Sequence, residues 1–190
     1  SRRRSFYGGK MKIYISGGAK NGKSMFAQEI AKKLSSEGHL WYLATMEPRD
    51  NEDDARVLRH RKERAGWGFK TAEWGRNIAL HSEEFDCKGT YLVDSVTALL
   101  SNEMFGGMSG EINKPAAEKV ANELLAFSDA VENVVFVSDN IFCDAAFYDE
   151  WTDSYREGLA KVDRAVAEKC DVVAEFSCNQ IIFYKGAELV

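Results

Sequence analysis

Short apolar runs alternate along the chain with longer stretches in which apolar residues recur every three or four positions. The short runs are rich in β-branched and aromatic residues, as is typical of strands buried on both faces. They cover residues 12–16, 40–45, 90–94, 134–138 and 171–176. This alternation predicts a mostly parallel central sheet with helices on both faces.

The longer stretches predict amphipathic helices between these strands. One carries Phe26, Ile30 and Leu34, a second begins at Pro115, and a third runs over 151–166 with an apolar residue at about every fourth position. A last apolar run, 180–186, follows its predecessor after a short gap. We therefore expect the chain to end in an antiparallel hairpin.

Length and composition change this picture little. With 190 residues, of which 45% are hydrophobic, the chain can bury one substantial core. We expect a single domain over residues 11–190. Residues 1–10 are basic and glycine-containing, and because Met11 looks like a natural start we set them aside as a leader or an artificial extension.

Charge and hydropathy exclude some function classes. The formal net charge of -5 argues against a general nucleic-acid binder. No apolar run approaches the roughly 20 residues of a membrane span, and nothing resembles a signal peptide. The expected location is therefore the cytoplasm, without a membrane span.

A glycine-rich segment between the first strand and the first helix carries the clearest chemical signal. It fits the pattern G-x-x-x-x-G-K-[ST] and comprises Gly17, Gly18, Ala19, Lys20, Asn21, Gly22, Lys23 and Ser24. In such a loop, backbone N–H groups converge on phosphate oxygens, the lysine adds a full positive charge, and the serine hydroxyl can ligate Mg²⁺. The alternative is an ordinary strand-to-helix turn with a surface lysine. The pattern and its flanks favour a fold of the P-loop NTPase type.

Asp94 ends the apolar run 90–94 and would emerge at the same edge of the sheet as the loop. Its carboxylate could hold Mg²⁺ together with Ser24, directly or through water. The alternative is that Asp94 caps the helix that follows.

A cationic segment with a central histidine lies at 51–67. Asn51 is a plausible N-cap, and helical spacing would place Arg56, His60 and Arg64 on one face. A solvated helix surface would account for this pattern. In a nucleotide-binding protein it also suits a histidine that attacks a phosphate while arginines neutralise the developing charge.

These features together resemble a known family. In order and spacing they are similar to adenosylcobinamide kinase / adenosylcobinamide-phosphate guanylyltransferase, a bifunctional enzyme of cobalamin biosynthesis. The similar segments are 11–24, "YLAT" at 42–45, 56–64, Trp67 followed by the Thr71-Ala72-Glu73 run, and "LVDSVTALLSNEMF" from Leu92. The resemblance runs from Met11 to about Gly186. Many NTPases share the P-loop alone. The resemblance to this family is specific because all of these segments occur together.

The resemblance implies two reactions. The first phosphorylates adenosylcobinamide from a nucleoside triphosphate, ATP or GTP. The second moves GMP from GTP onto that phosphate through a guanylyl-histidine intermediate, and His60 is the matching position. It also implies nucleotide contacts beyond the loop, at Thr45, Met46, Arg61, Lys62, Glu63, Arg64, Glu73 and Asp94. Catalytic roles then fall to His60 and Lys23, with Mg²⁺ held by Ser24 and Asp94, in a homo-oligomer that is usually a trimer.

The C-terminal third departs from the family pattern. Asp139 and Asn140 stand at the positions of a family Asn-Glu pair, and Asp163 and Arg164 at those of an Asn-Gln pair. Two other functions therefore stay open: a P-loop small-molecule kinase without guanylyl transfer, and a non-catalytic nucleotide-binding regulatory protein.

Overall fold

The structure is a computed structural model, and it describes residues 9–18, 21–48, 58, 61–62, 64–107, 110–142 and 146–190. Along the chain the strands are β1 Met11–Gly17, β2 Leu40–Ala44, β3 Lys70–Glu73, β4 Thr90–Asp94, β5 Asn133–Asp139, β6 Val172–Ser177 and β7 Gln180–Lys185. The α-helices are α1 Lys23–Leu34, α2 Val96–Phe105, α3 Ala116–Ala130 and α4 Glu150–Lys169. Two short 3₁₀ helices cover Ile78–Glu84 and Ala187–Leu189.

The strands of the described residues form one sheet in the order β3-β2-β4-β5-β1-β6-β7. Every neighbouring pair is parallel except β6 with β7, which are antiparallel. The mostly parallel sheet and the C-terminal hairpin are thus confirmed. The order places β5 directly between β1, which leads into the glycine-rich loop, and β4, which ends at Asp94.

Each face of the sheet buries its own apolar cluster. On one face, Tyr14, Val93 and Phe136 pack with α2, α3 and α4. On the other, Ile13, Ile15 and their neighbours pack with α1. Successive residues of a strand point to opposite faces, so the continuous apolar runs serve both clusters at once.

Local signals explain where the helices begin. The Ser95 hydroxyl accepts a hydrogen bond from the backbone N–H of Ala98 and caps α2. Pro115 precedes α3, as predicted, and the Asp149 carboxylate caps α4 through the N–H of Thr152. Since Ser95 is the N-cap of α2, the alternative assignment of that role to Asp94 is wrong.

At the element level, one strand was not predicted and one predicted helix lies largely outside the described residues. Strand β3 was not foreseen, because its residues are mostly polar and only Ala72 is buried. The helix expected over 51–67 lies mainly outside the described residues. Leu58, Arg61 and Lys62 have helical backbone and a turn begins at Arg64. Because Arg56 and His60 lie outside the described residues, their sharing a helical face with Arg64 stays a prediction.

Within the part of the chain that the structure describes, no helix is both long and apolar enough to cross a membrane.

Candidate functional site: a nucleotide-binding edge

The glycine-rich loop joins β1 to α1 through tightly constrained backbone. At Gly17 a side chain would not fit, because a Cβ atom would lie 2.5 Å from the carbonyl oxygen of Phe176 in β6. Gly22 precedes α1 with φ of 94°, in the left-handed region that glycine adopts without strain. Asn21 accepts a hydrogen bond from the N–H of Lys23 at 3.2 Å, and its amide donates to the Phe176 carbonyl. These contacts hold the loop against the sheet.

Lys23 projects back over the loop from the first turn of α1. Its side chain is 7% exposed, and its Nζ donates to the Gly18 carbonyl at 3.0 Å. The same Nζ lies 2.6 Å from Oδ1 of Asp139, the last residue of β5. The predicted phosphate-binding lysine is therefore buried and held at the carboxyl edge of the sheet by an acidic partner.

Asp94 ends β4 at the same edge, as expected. Its Oδ2 accepts a hydrogen bond from the Tyr42 hydroxyl at 2.6 Å. Thr45, which follows β2, is buried and donates to the Ser95 carbonyl at 2.8 Å, while its hydroxyl accepts from the N–H of Ser95 at 2.7 Å. The ends of β2 and β4 are thereby fastened together beside the carboxylate.

Two arginines reach the same edge from the 61–64 segment. The Arg64 guanidinium stacks on the Tyr42 ring at 3.4 Å from its centroid, and Arg64 is 7% exposed. Stacking on an aromatic face stabilises a cation most when both groups are shielded from water. Arg61 pairs with Glu73 at the end of β3, and both of these side chains are more than half exposed. The two arginines thus present a positive edge beside Asp94.

A cavity of about 470 Å³ collects most of these side chains. From the predicted set it is lined by Met46, Arg61, Arg64, Glu73 and Asp94. A second pocket, of about 550 Å³, shares Arg61, Arg64 and Glu73 with the first. Both volumes are in the usual range for a small-molecule site.

Of the other predicted residues, some are described by the structure but do not line the cavity, and some lie outside the described residues. Thr45 lies buried beneath the cavity, Ser24 is half-buried in α1, and Lys62 is exposed. Four predicted residues lie outside the described part of the chain: Ala19, Lys20, His60 and Glu63. The approach of the His60 imidazole to the nucleotide therefore stays a prediction.

The predicted site left out three residues that line or support the cavity. Asp139 and Tyr155 line it, and Tyr42 provides both the hydroxyl for Asp94 and the ring for Arg64. Asp139 had a readable signal, since it follows an apolar run just as Asp94 does. Tyr155 had no such signal in the sequence, because its position depends on how α4 packs against α2. This packing lets its hydroxyl donate a hydrogen bond to the Thr97 carbonyl at 2.8 Å.

A partly buried polar cluster supports this edge from below. The Asp163 carboxylate, on α4, accepts a hydrogen bond from the Ser138 hydroxyl at 2.9 Å and interacts with the hydroxyl of Tyr14. Burial raises the pKa of Asp163 to about 6, against the lowering effect of these hydrogen bonds. Burial, with the charge of Asp163, also raises the pKa of Tyr14. Asp139 sits one residue beyond Ser138, so the cluster fixes the strand end that carries it.

The donor chemistry at this edge suits Mg²⁺, which prefers hydroxyl and carboxylate oxygens together with phosphate oxygens. Among the described residues, no group of three or more His, Cys, Asp or Glu side chains could hold a metal ion by itself. A metal held by Ser24 and Asp94 would thus depend on the nucleotide for further ligands.

Fold and site together define a class: a P-loop NTPase fold whose loop lysine and acidic strand ends meet at one edge of a parallel sheet. Solved structures show the same fold. The flagellar accessory protein FlaH from Methanocaldococcus jannaschii matches with a TM-score of 0.50 and 10% identity over 94% of this chain and 80% of that chain. The solved ATPase domain of another protein matches with a TM-score of 0.52 and 11% identity over 93% of this chain and 77% of that chain.

A prototypical ATPase of the type III secretion system of pathogenic bacteria also matches, with a TM-score of 0.50 and 12% identity, over 88% of this chain and 51% of that chain. A search of curated proteins gave no significant match. The model of the family "Cobinamide kinase / cobinamide phosphate guanyltransferase" matches residues 13–179. The chain belongs to this family.

Proposed function

We propose that the protein phosphorylates adenosylcobinamide from a nucleoside triphosphate and then transfers GMP from GTP onto the resulting phosphate, in cobalamin biosynthesis. One observation carries the proposal: Arg64, Asp94 and Asp139 line a single cavity, and Lys23 pairs with Asp139 at its edge. A phosphate-binding cation, a carboxylate that can hold Mg²⁺ and a shielded guanidinium are groups that polyphosphate transfer requires.

The roles follow from position. Backbone N–H groups of the loop and the Lys23 ammonium would hold the β- and γ-phosphates. Arg61, Arg64 and Glu73 would bind the guanosine end, because they lie at the β2–β3 side of the cavity and also line the second pocket. Mg²⁺ held by Ser24 and Asp94 would supply positive charge to the phosphate oxygens.

In the second reaction His60 is the proposed nucleophile. A ring nitrogen of neutral imidazole would bond to the α-phosphorus of GTP, the bond from that phosphorus to the α–β bridging oxygen would break, and pyrophosphate would leave. A phosphate oxygen of adenosylcobinamide phosphate would then bond to the same phosphorus, and the bond from that phosphorus to the imidazole nitrogen would break, which frees His60. The family resemblance further supports a cytoplasmic homotrimer.

Covalent labelling tests the proposal. After incubation with GTP labelled on the α-phosphate, we expect acid-labile label on the chain, and we expect His60→Ala to abolish it. GTP labelled on the γ-phosphate should leave no label. Phosphate transfer to adenosylcobinamide without any label would favour a kinase that lacks guanylyl transfer, and nucleotide binding without turnover would favour a regulatory protein.

The chain offers matched controls, because it contains two other histidines. His39 is paired through Nδ1 with Asp86 at 2.7 Å, and His81 stacks on Trp74 and pairs with Glu84. Both rings already have structural partners, so His39→Ala and His81→Ala should retain the label. Label that survives His60→Ala would contradict the proposed nucleophile.

A further inference from the structure

Asp139 is the carboxylate at the end of the strand that adjoins the phosphate-binding loop. It ends β5, which pairs directly with β1, and its register partner there is Gly17. Asp94 lies on β4, one strand further away. Since neighbouring strands are about 4.8 Å apart, the backbone of Asp139 is roughly half as far from the loop strand as that of Asp94.

The backbone around Asp139 is fixed on both sides. Its N–H donates to the Thr97 hydroxyl at 2.8 Å, and the N–H of Asn140 donates to the Gly17 carbonyl at 3.0 Å. The carboxylate therefore stays beside the loop and can reorient only by rotating its own side chain. Its side chain is 29% exposed and faces the cavity.

Asp139 contacts the Lys23 ammonium at the place where a bound phosphate would contact it. Its Oδ1 lies 2.6 Å from Lys23 Nζ, the ammonium expected to bind the transferring phosphate. A triphosphate bound to Lys23 would displace the carboxylate from this ammonium, and the fixed backbone of Asp139 would keep the carboxylate beside the phosphate that Lys23 holds. Thr97, Ser101 and Tyr155 line the same cavity next to it, and these are neutral hydroxyl-bearing residues rather than cations.

We propose that Asp139 is the general base of the phosphorylation reaction, an inference that rests on the proposed function. The acceptor's hydroxyl oxygen forms a bond to the γ-phosphorus while the bond between that phosphorus and the β–γ bridging oxygen breaks. The nucleoside diphosphate leaves, and the hydroxyl proton passes to the Asp139 carboxylate. The neighbouring hydroxyls of the cavity help to place the acceptor.

The two proposed reactions differ in their need for such a base. Phosphorylation uses an alcohol, which must lose a proton as it attacks. GMP transfer uses a phosphate as acceptor, and at neutral pH its attacking oxygen already carries negative charge. A base at position 139 is therefore required for the first reaction and dispensable for the second.

The decisive experiment measures both reactions in Asp139→Asn. For phosphorylation of adenosylcobinamide, we expect kcat to fall about 10²- to 10⁴-fold, the usual contribution of a general base. For transfer of GMP from GTP onto prepared adenosylcobinamide phosphate, we expect kcat to stay within about threefold, because that acceptor is already ionised. A non-hydrolysable GTP analogue should bind the variant at least as tightly, because the carboxylate that competes for Lys23 has gone.

Two substitutions calibrate the result. Lys23→Ala should impair both reactions by about a hundredfold or more, because the lost charge serves both. Asp129→Asn removes an exposed carboxylate that pairs with Lys12, near the start of β1 and so at the opposite end of that strand from the loop. This control should change neither reaction. Unchanged thermal unfolding of Asp139→Asn would show that the strand end is intact.

Several outcomes would overturn the assignment. If Asp139→Asn phosphorylates normally, there is no base at this position. If both reactions fall together, Asp139 acts by placing Lys23. If excess Mg²⁺ restores phosphorylation, or if the analogue binds about tenfold or more weakly than before, Asp139 is a metal ligand. Failure of the unsubstituted protein to phosphorylate adenosylcobinamide at all would instead contradict the proposed function, and the assignment of Asp139 with it.

Discussion

Among single residues, Tyr42 connects two groups that the sequence presents far apart. Its ring face supports the Arg64 guanidinium, and its hydroxyl donates to Asp94. A shielded cation on an aromatic face contributes about 2 kcal/mol. Tyr42 therefore places a positive and a negative group side by side at the cavity wall.

This arrangement predicts unequal effects of two substitutions. Arg64→Ala should raise the KM for GTP about 10- to 100-fold, because it removes a buried charge from the proposed guanosine side. Tyr42→Phe keeps the ring and loses only the hydroxyl, so we expect a change of about tenfold or less. Steady-state kinetics of GMP transfer measure both effects. An Arg64→Ala enzyme with an unchanged KM would place the guanosine elsewhere.

Among the elements, the glycine-rich loop depends on its fit against β6. Gly17 and Asn21 both meet the Phe176 carbonyl of that strand. A side chain at Gly17 would collide with backbone, which cannot rotate away. The loop's shape is thus set by the strand beside it as well as by its own glycines.

Gly17→Ala should therefore lower the free energy of unfolding by about 1–3 kcal/mol, the usual cost of overpacking. It should also weaken nucleotide binding, because the loop must shift. Gly18→Ala is the matched control for stability, since a Cβ atom there meets nothing within 4 Å. Denaturant unfolding of the two variants gives the comparison. Equal stabilities would show that the loop moves freely relative to β6.

In the molecule as a whole, helices on both faces leave the carboxyl edge of the sheet open. The cavity draws side chains from β2, β3, β4, β5, α2 and α4 and from the segment before β3. Open α/β sheets place ligands at this edge as a rule. The packing of α4 against β5 brings Asp163 beneath the site, which couples the site to the stability of the fold.

The coupling predicts a pH dependence of stability. The pKa of Asp163 is about 6 in the folded chain and near 3.8 when it is unfolded. At a pH between these two pKa values, Asp163 is protonated more often in the folded chain than in the unfolded chain. The contribution of this group to the free energy of unfolding therefore falls as pH rises from about 4 to 6. The full difference corresponds to roughly 3 kcal/mol. Well above the folded pKa the contribution is constant.

Asp163→Asn should remove this slope and increase the free energy of unfolding at neutral pH, by at most about 3 kcal/mol. The Asn amide oxygen can still accept the hydrogen bond from Ser138. Other groups facing Asp163, namely Tyr14, Asp139 and Tyr155, are retained in the variant. Urea unfolding at several pH values checks the result. A variant that is less stable at neutral pH, or that keeps the slope, would contradict it.

Patterns within the sequence were sufficient to predict the sheet class, most strand and helix positions, and the place of the glycine-rich loop between β1 and α1. These features depend on periodicity and on residues adjacent in the chain, which act locally. Asp94 was predictable too, because a polar residue at the end of a buried strand must emerge at the edge. Strand β3 was not predictable, since it is a short strand at the edge of the sheet and its mostly polar sequence shows no alternation of apolar and polar residues.

The acidic residue that meets the loop lysine is set by tertiary packing alone. Asp94 and Asp139 both follow apolar runs, and nothing local distinguishes them. The strand order does, because it inserts β5 between β1 and β4 and so brings Asp139 to Lys23. The stacking of Arg64 on Tyr42 is likewise a contact between distant segments. Such contacts depend on how packed elements align, and packing is a property of the whole fold.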